Sequence, residues 1–405
     1  MAVRVSDFED ACHETVGRLR AAMIELYDSV GADPANPQEV ARTFGINKTL
    51  TWNIARMIQA TSSIEAIPHV PGSASIEKVI RAVRPSGANP EAMDRVRTAA
   101  RAFDEMVEVH VGDRSTLELI TDGMASGATD RLELSRKLAF RGNSGIFGVQ
   151  AKTRLMTWFI APNADDPSKV DIASVTGYAG FRRLRSSVRW PLFKLRSWSS
   201  QGDPIGELLW QSLEGNGAGD AGAGILGEFT RGNVPDIEVA RTDEGVDFVL
   251  PPGPVGNFGA FDCFRGEWHA AAANRYRMTE GETGEFGVVI TTPTEHLVFD
   301  IIAHEDLAFA LTPDVLVFAR VFQQGQETGA IDEPSRLPIN APVAELVGRP
   351  PAVATPLVPR YAELVRWVHQ TRGWDPRSFR GVRMEMKYPP LGAQILLRFD
   401  LPDSH

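Results

Sequence analysis

The chain has 405 residues, 43% hydrophobic and 23% charged, with a net charge of −10; this is the balance of an ordinary globular protein, with room for two or three domains that each have a core. Cys12 and Cys263 are its only cysteines, too few and too far apart for a disulfide framework or a zinc site, which fits a reducing cytoplasm. The first twenty residues are too charged for a secretory leader, and no run of about 18 apolar residues offers a membrane span, so a cytoplasmic protein with no membrane partner is expected.

Before about residue 140 the pattern is helical. Ser6–Ser29 reads as a long amphipathic helix, with Ser6 as its cap and Glu9 at the third position. Asn36-Pro37 opens a short helix and Asn47 a second, with Gly45 between them. Residues 64–74, IEAIPHVPGSA, read as a connection because of their prolines and glycine, and Ser75–Val83 as a helix that stops at Arg84-Pro85. Asn89-Pro90 starts another helix that runs to about Val109, and Ser115–Met124 follows the turn at Gly112.

After Asn143 β-branched and aromatic residues take over. Strands are predicted at Gly145–Ala161, Val170–Tyr178, Asp236–Val239, Val246–Leu250, Glu285–Thr292, His296–Ile302 and Val315–Phe322. A helix at Tyr361–Gln370 precedes a closing pair of strands, Val382–Tyr388 and Gln394–Phe399. There is no internal repeat. Helices first and strands afterwards predict an α+β multidomain protein instead of a doubly wound α/β fold. Residues 1–140 would form a helical bundle with an embedded helix-turn-helix. Residues 141–405 would form a larger β-rich α+β domain with a Gly/Ala-rich loop near 214–224.

The most informative stretch is 36–59, NPQEVARTFGINKTLTWNIARMIQ. Asn36 can cap the first helix, with Pro37 at its first position and Glu39 completing an Asn form of the capping box. Val40, Ala41 and Phe44 share one side, and Gly45 supplies the left-handed conformation that ends the helix. Asn47 caps again, and Leu50, Ile54, Met57 and Ile58 form an apolar stripe at helical spacing. This order of Ala41, Gly45 and apolar positions resembles the helix-turn-helix of bacterial transcription regulators, in which a small residue lets the helices approach and a glycine makes the turn. Thr51 departs from the family pattern, which often has a buried aliphatic residue there.

The resemblance implies a second helix that meets double-stranded DNA. Asn47, Lys48, Thr49 and Asn53 would lie nearest the base edges, and Arg42 and Arg56 would meet phosphates. Trp52 shares the outer stripe, where its large indole either faces DNA or packs on a neighbouring helix. Between Asn36 and Ala60 three cations oppose Glu39, a net of +2, within a 1–140 segment of sixteen basic and twenty acidic residues. That footprint is small, and affinity grows with the number of phosphates neutralised. DNA binding therefore implies a homodimer, or help from elsewhere in the chain.

One source of help is residues 141–200, with ten basic residues against three acidic ones. Its densest part, GFRRLRSSVRWPLFKLRSW, interleaves Trp190, Phe193 and Trp198 with the cations, so Arg182, Arg183, Arg185 and Arg189 are candidate phosphate contacts. The same mixture suits a sheet face whose arginine stems cover apolar surface, or a patch that docks the protein's own acidic domain.

Three other features suggest chemistry and fail on inspection. Gly217, Gly219 and Gly222 spell G-x-G-x-x-G, but the preceding IGELLWQSLE reads as a helix where a dinucleotide loop needs a strand, so a linker is expected. His296, Asp300 and His304 fall on one face of a strand, yet the two histidines would stand about 26 Å apart, too far to share an ion; a hydrogen-bonded polar face is expected. Trp268 and His269, near Glu267, Asn274 and Arg275, come with no nucleophile elbow, HExxH, Walker loop or DxD pair. No catalytic residue, metal or cofactor is therefore assigned.

The sequence thus reads as a sequence-specific DNA-binding transcriptional regulator whose C-terminal domain senses a ligand, binds a partner or dimerises. Two rivals stand beside it: an interaction or assembly protein whose helix-turn-helix packs on protein, and a small-molecule binder or enzyme with a pocket in the β-rich domain.

Overall fold

The computed structural model describes residues 5–124, 128–198, 204–205, 210–214, 224–234, 236–242, 245–320 and 333–403. The chain divides into two compact units, 1–132 and 133–405, and the α+β order expected from the sequence is the order found.

Unit 1 contains α1 (Val5–Asp28), α2 (Pro37–Phe44), α3 (Lys48–Gln59), α4 (Ser63–Ala66), α5 (Ser73–Val83), α6 (Pro90–His110) and α7 (Arg114–Met124). The two long helices α1 and α6 form its spine: Val16, Leu19, Met23 and Leu26 share a core with Val96, Phe103 and Val107, to which α3 adds Ile54 and Met57. Helix α6 starts as its sequence predicts, with the Asn89 side chain accepting from Glu91 N at 2.9 Å and Pro90 at the first position. Ser6 lies inside α1 instead of capping it. Residues 64–74 are not a plain connection: Ser62 caps α4 by accepting from Glu65 N, and a 3-10 turn follows at Ile67–His69, where Ile67 is buried.

Helix α8 (Ala128–Phe147) follows, and from Glu133 on it belongs to unit 2. The division between the compact units thus falls inside α8, while strands begin only at Val149. Glu133 pairs with Lys387 at 3.2 Å, and Phe140 packs on Tyr388 with ring centroids 5.6 Å apart. The predicted strand start at Gly145 is also displaced, because α8 continues through Gly142 and Gly145 and ends only at Gly148, whose φ is +72°.

Fifteen strands follow among the described residues. They are β1 (Val149–Pro162), β2 (Lys169–Arg183), β3 (Trp190–Trp198), β4 (Pro204–Ile205), β5 (Gln211–Ser212), β6 (Arg231–Gly232), β7 (Glu238–Thr242), β8 (Gly245–Leu250), β9 (Phe261–Asn274) and β10 (Thr283–Val289). After these come β11 (Thr294–His304), β12 (Asp314–Ala319), β13 (Val343–Leu346), helix α9 (Tyr361–Arg372), β14 (Phe379–Lys387) and β15 (Ala393–Asp400). The largest sheet has the order β13-β14-β11-β1-β2-β9-β5, with β6 also on β9. Within it β1 runs antiparallel to β2 and parallel to β11.

A three-stranded sheet, β10-β15-β12, covers one face of this large sheet. Between them Phe286, Val288, Ile395, Leu397 and Phe399 meet Met156, Ile160, Phe299, Ile301 and Met384. Helix α9 covers the other face, with Tyr361, Leu364, Val365 and Val368 on Leu155, Phe159, Val298 and Ile302. A third sheet, β4-β3-β8-β7, packs Phe193 and Phe248 near Tyr178 and Phe181. Strands β14 and β15, expected to pair with each other, belong to different sheets: β14 pairs with β11 and β13, and β15 with β10 and β12.

Candidate nucleic-acid interface

Helices α2 and α3 form a tight helical pair. Gly45 adopts φ 63° and ψ 31°, and the N–H groups of Gly45 and Ile46 both reach the Ala41 carbonyl, which closes the α2 C-terminus in the manner predicted for a glycine there. Ala41 is buried at the crossing. The N-terminus of α2 differs from expectation. The Asn36 side-chain amide donates to Asp33 at 2.9 Å, and its backbone N–H also goes to Asp33, so neither the Asn36 cap nor the Glu39 capping box forms. Asn36 still starts the helix through its carbonyl, which accepts from Glu39 and Val40.

Asn47 caps α3, accepting from Thr49 N at 2.8 Å. Its side-chain oxygen is thereby used, which leaves the amide NH2 as the group it could offer to a ligand. Ile54, Ala55 and Met57 are buried, and Thr51 is 2% exposed. The hydroxyl that sets Thr51 apart from the family pattern donates to the Lys48 carbonyl at 2.9 Å, so it is buried without an orphaned polar group.

The outward face is as the spacing predicts. Lys48, Thr49, Arg56 and Gln59 are exposed, Asn53 is half-buried, and Arg42 of α2 is exposed. Trp52 is 45% exposed. Lys48, Trp52 and Arg56 recur every four residues and so form one stripe.

Sequence reasoning missed the residue that holds this helix. Arg20, from the middle of α1, donates to the carbonyls of Met57 (2.7 Å), Ala60 (2.9 Å) and Ser62 (3.0 Å). One guanidinium thus answers carbonyls at the C-terminus of α3, where the helix dipole is negative. Burial lowers the Arg20 pKa, opposed by the Glu65 carboxylate. The only hint in the sequence was a cation on an otherwise amphipathic helix, and no local rule says which carbonyls it meets.

The arginines proposed as phosphate contacts lie in unit 2 and are engaged there. Arg183 is 1% exposed and donates to the Pro251 carbonyl, so it stands inside the unit and not at a surface. Arg182 meets the side-chain amide of Gln150, Arg185 donates to Ile146 O at 2.7 Å, and Arg189 pairs with Glu238. Arg185 and Arg189 fall in the turn between β2 and β3.

The polar strand face of β11 is a structural network. Asp300 is fully buried and receives Arg383 Nε at 2.9 Å and Nη2 at 2.8 Å, together with the Tyr361 hydroxyl at 2.7 Å. Thr157 hydrogen-bonds the same tyrosine at 2.7 Å, and Arg383 also donates to Val353 O. Burial raises the Asp300 pKa, while the guanidinium and the phenol pull it down. Residues 157, 300 and 383 come together because β1, β11 and β14 are neighbours in register. His304 accepts from Asp306 N at 3.3 Å and meets Phe379 edge-on. Among the described residues no group of His, Cys, Asp and Glu could hold a metal ion.

Trp268 and His269 lie on β9. Arg372 stacks on Trp268 with Cζ 3.3 Å from the ring centroid, and His269 faces Trp210. Gly217, Gly219 and Gly222 lie outside the described residues. The segment before them, read as a helix, contributes Gln211–Ser212 as a strand on β9. No helix among the described residues is long and apolar enough to cross a membrane. No protein-family model matches the sequence, and no curated protein matches it.

Proposed function

We propose that the protein is a sequence-specific DNA-binding transcriptional regulator that uses α3 as its reading helix and works in the cytoplasm. The observation that supports this is the division of α3: Lys48, Thr49, Trp52 and Arg56 are exposed while Thr51, Ile54, Ala55 and Met57 are buried, and Arg20 fixes the far end of the helix. In this reading Asn47, Lys48, Thr49 and Asn53 approach base edges, and Arg42 and Arg56 hold phosphates. Two copies engage DNA together, since one contributes too few cations for tight binding at physiological salt. Unit 2 then serves as the sensing or partner domain.

The test is binding of the purified protein to mixed genomic DNA fragments at two salt concentrations, beside the Lys48→Ala/Arg56→Ala double variant. Salt-sensitive enrichment of particular fragments that disappears in the variant supports the reading. Absence of binding at low salt, or binding indifferent to the substitutions, refutes the assignment of α3. A second reading, in which α3 docks on protein, is favoured by Trp52 alone, because a half-exposed indole is a common anchor of protein interfaces. It requires that Trp52→Ala abolish function while the double variant retains it.

A further inference from the structure

At the β13–β14 edge of the large sheet lies a cavity of about 560 Å³, entirely within unit 2. It is lined by Val343, Gly381 and Val382 of the sheet and by Leu311 and Pro313 from the turn after β11. Two charged side chains line it as well, Glu345 on β13 and Arg380 on β14. Glu345 pairs with Val382 in antiparallel register, so Arg380, two residues from Val382, is its diagonal neighbour on the same face. Such neighbours stand about 7–8 Å apart, within reach of long side chains.

Among the described residues, however, Glu345 and Arg380 form no ion pair with each other or with any other side chain. The cations around them are paired: Arg349 with Glu305, Arg377 with Asp375, Arg383 with Asp300. The Arg380 Nε is buried with no hydrogen-bond partner. A carboxylate meets a guanidinium with two parallel bonds. An unpaired cation and an unpaired, exposed anion side by side at one cavity are complementary to a ligand that has both charges.

We propose that this cavity binds a small zwitterion, an α-amino acid with an aliphatic side chain. Its carboxylate meets Arg380, its ammonium meets Glu345, and its side chain packs on Leu311, Pro313 and Val382. The cavity falls within the size range of small-molecule sites. The proposal gives the sensing domain of the proposed function a ligand class, but it rests on this geometry alone, and its test involves no DNA.

The experiment is calorimetric titration of the full chain with L-alanine, L-valine, L-isoleucine and L-leucine. Two analogues of leucine are run beside them: 4-methylpentanoate, which lacks the ammonium, and 3-methylbutylamine, which lacks the carboxylate. Binding of at least one amino acid at one site per chain is expected. Both analogues, and Arg380→Gln and Glu345→Gln titrated with the amino acid, should bind at least about tenfold more weakly, as expected for loss of one charge-assisted contact. No binding by any of the four amino acids overturns the proposal, and so does an analogue that binds as tightly as its parent. The analogue series on the unaltered protein decides the matter if a variant does not fold.

Discussion

The Asp300–Arg383 pair allows the sharpest energetic test in the molecule. Asp300 is 0% and Arg383 8% exposed. Three donors converge on the carboxylate, two from the guanidinium and one from Tyr361. Removing one partner leaves the other charge buried and uncompensated, so Asp300→Leu and Arg383→Met should each cost about 3–5 kcal/mol. That is a large part of the total stability of a domain, about 5–15 kcal/mol.

The double variant should cost far less than the sum of the two, because it removes both charges and Tyr361 retains Thr157 as a partner. Urea unfolding followed by tryptophan fluorescence is the assay. Seven of the eight tryptophans lie in unit 2, and a Trp52→Phe background removes the remaining one. Strictly additive losses, or a single variant that costs less than about 1 kcal/mol, would show that the network does not couple β11, β14 and α9 as argued.

Other outcomes follow from the same contacts. Arg20→Ala should destabilise unit 1 by about 1–3 kcal/mol in urea melts followed by far-UV circular dichroism, a value reduced because Arg20 is partly exposed. Arg20→Lys should restore only part of that loss, since an ammonium cannot span the three carbonyls, and an unchanged midpoint for Arg20→Ala would dismiss the clamp. His369 is 1% exposed, donates from Nδ1 to Val365 O, and has its pKa lowered by burial. Above about pH 6.5 it is neutral folded or unfolded and contributes no pH dependence. As pH falls below that value the unfolded chain takes the proton first, so stability is lost until the depressed folded pKa is reached. His369→Phe should flatten this acid limb, and an identical limb in the variant would refute the assignment. Burial raises the Cys12 thiol to about 11 and the Cys263 thiol to about 12. Both should therefore resist a thiol reagent at pH 8 in the native protein and react once it is unfolded, so labelling of either in the native state would count against the packing described.

Local chemistry made much of unit 1 legible. The Asn47 and Asn89 caps, Pro90 and the glycine at 45 each act within a few residues, so the boundaries of α3 and α6 could be read directly. The reading failed where partners came from farther away. Asn36 looked like a cap, but Asp33 claimed its amide. The strand predicted from Gly145 begins only at Val149, because α8 carries on to Phe147. The placement of the outward α3 residues was visible from periodicity alone. The Arg20 clamp, the Asp300 network and the Glu345–Arg380 cavity were not, because each depends on registers between strands or helices distant in the chain.

The position of β1 has a consequence for how the chain is made. Its partner β2 follows at once, but its other edge must wait for β11, and the bond from Thr157 to Tyr361 spans 204 residues. Contacts this distant in sequence form slowly, whereas the helices of unit 1 find their partners early. During synthesis, the ribosome therefore delivers a strand containing Leu155, Met156, Phe159 and Ile160 long before the chain that will cover it. Nascent chains or proteolytic fragments that stop short of Thr294 expose an unpaired apolar edge, the kind of surface that chaperones hold and aggregates grow from.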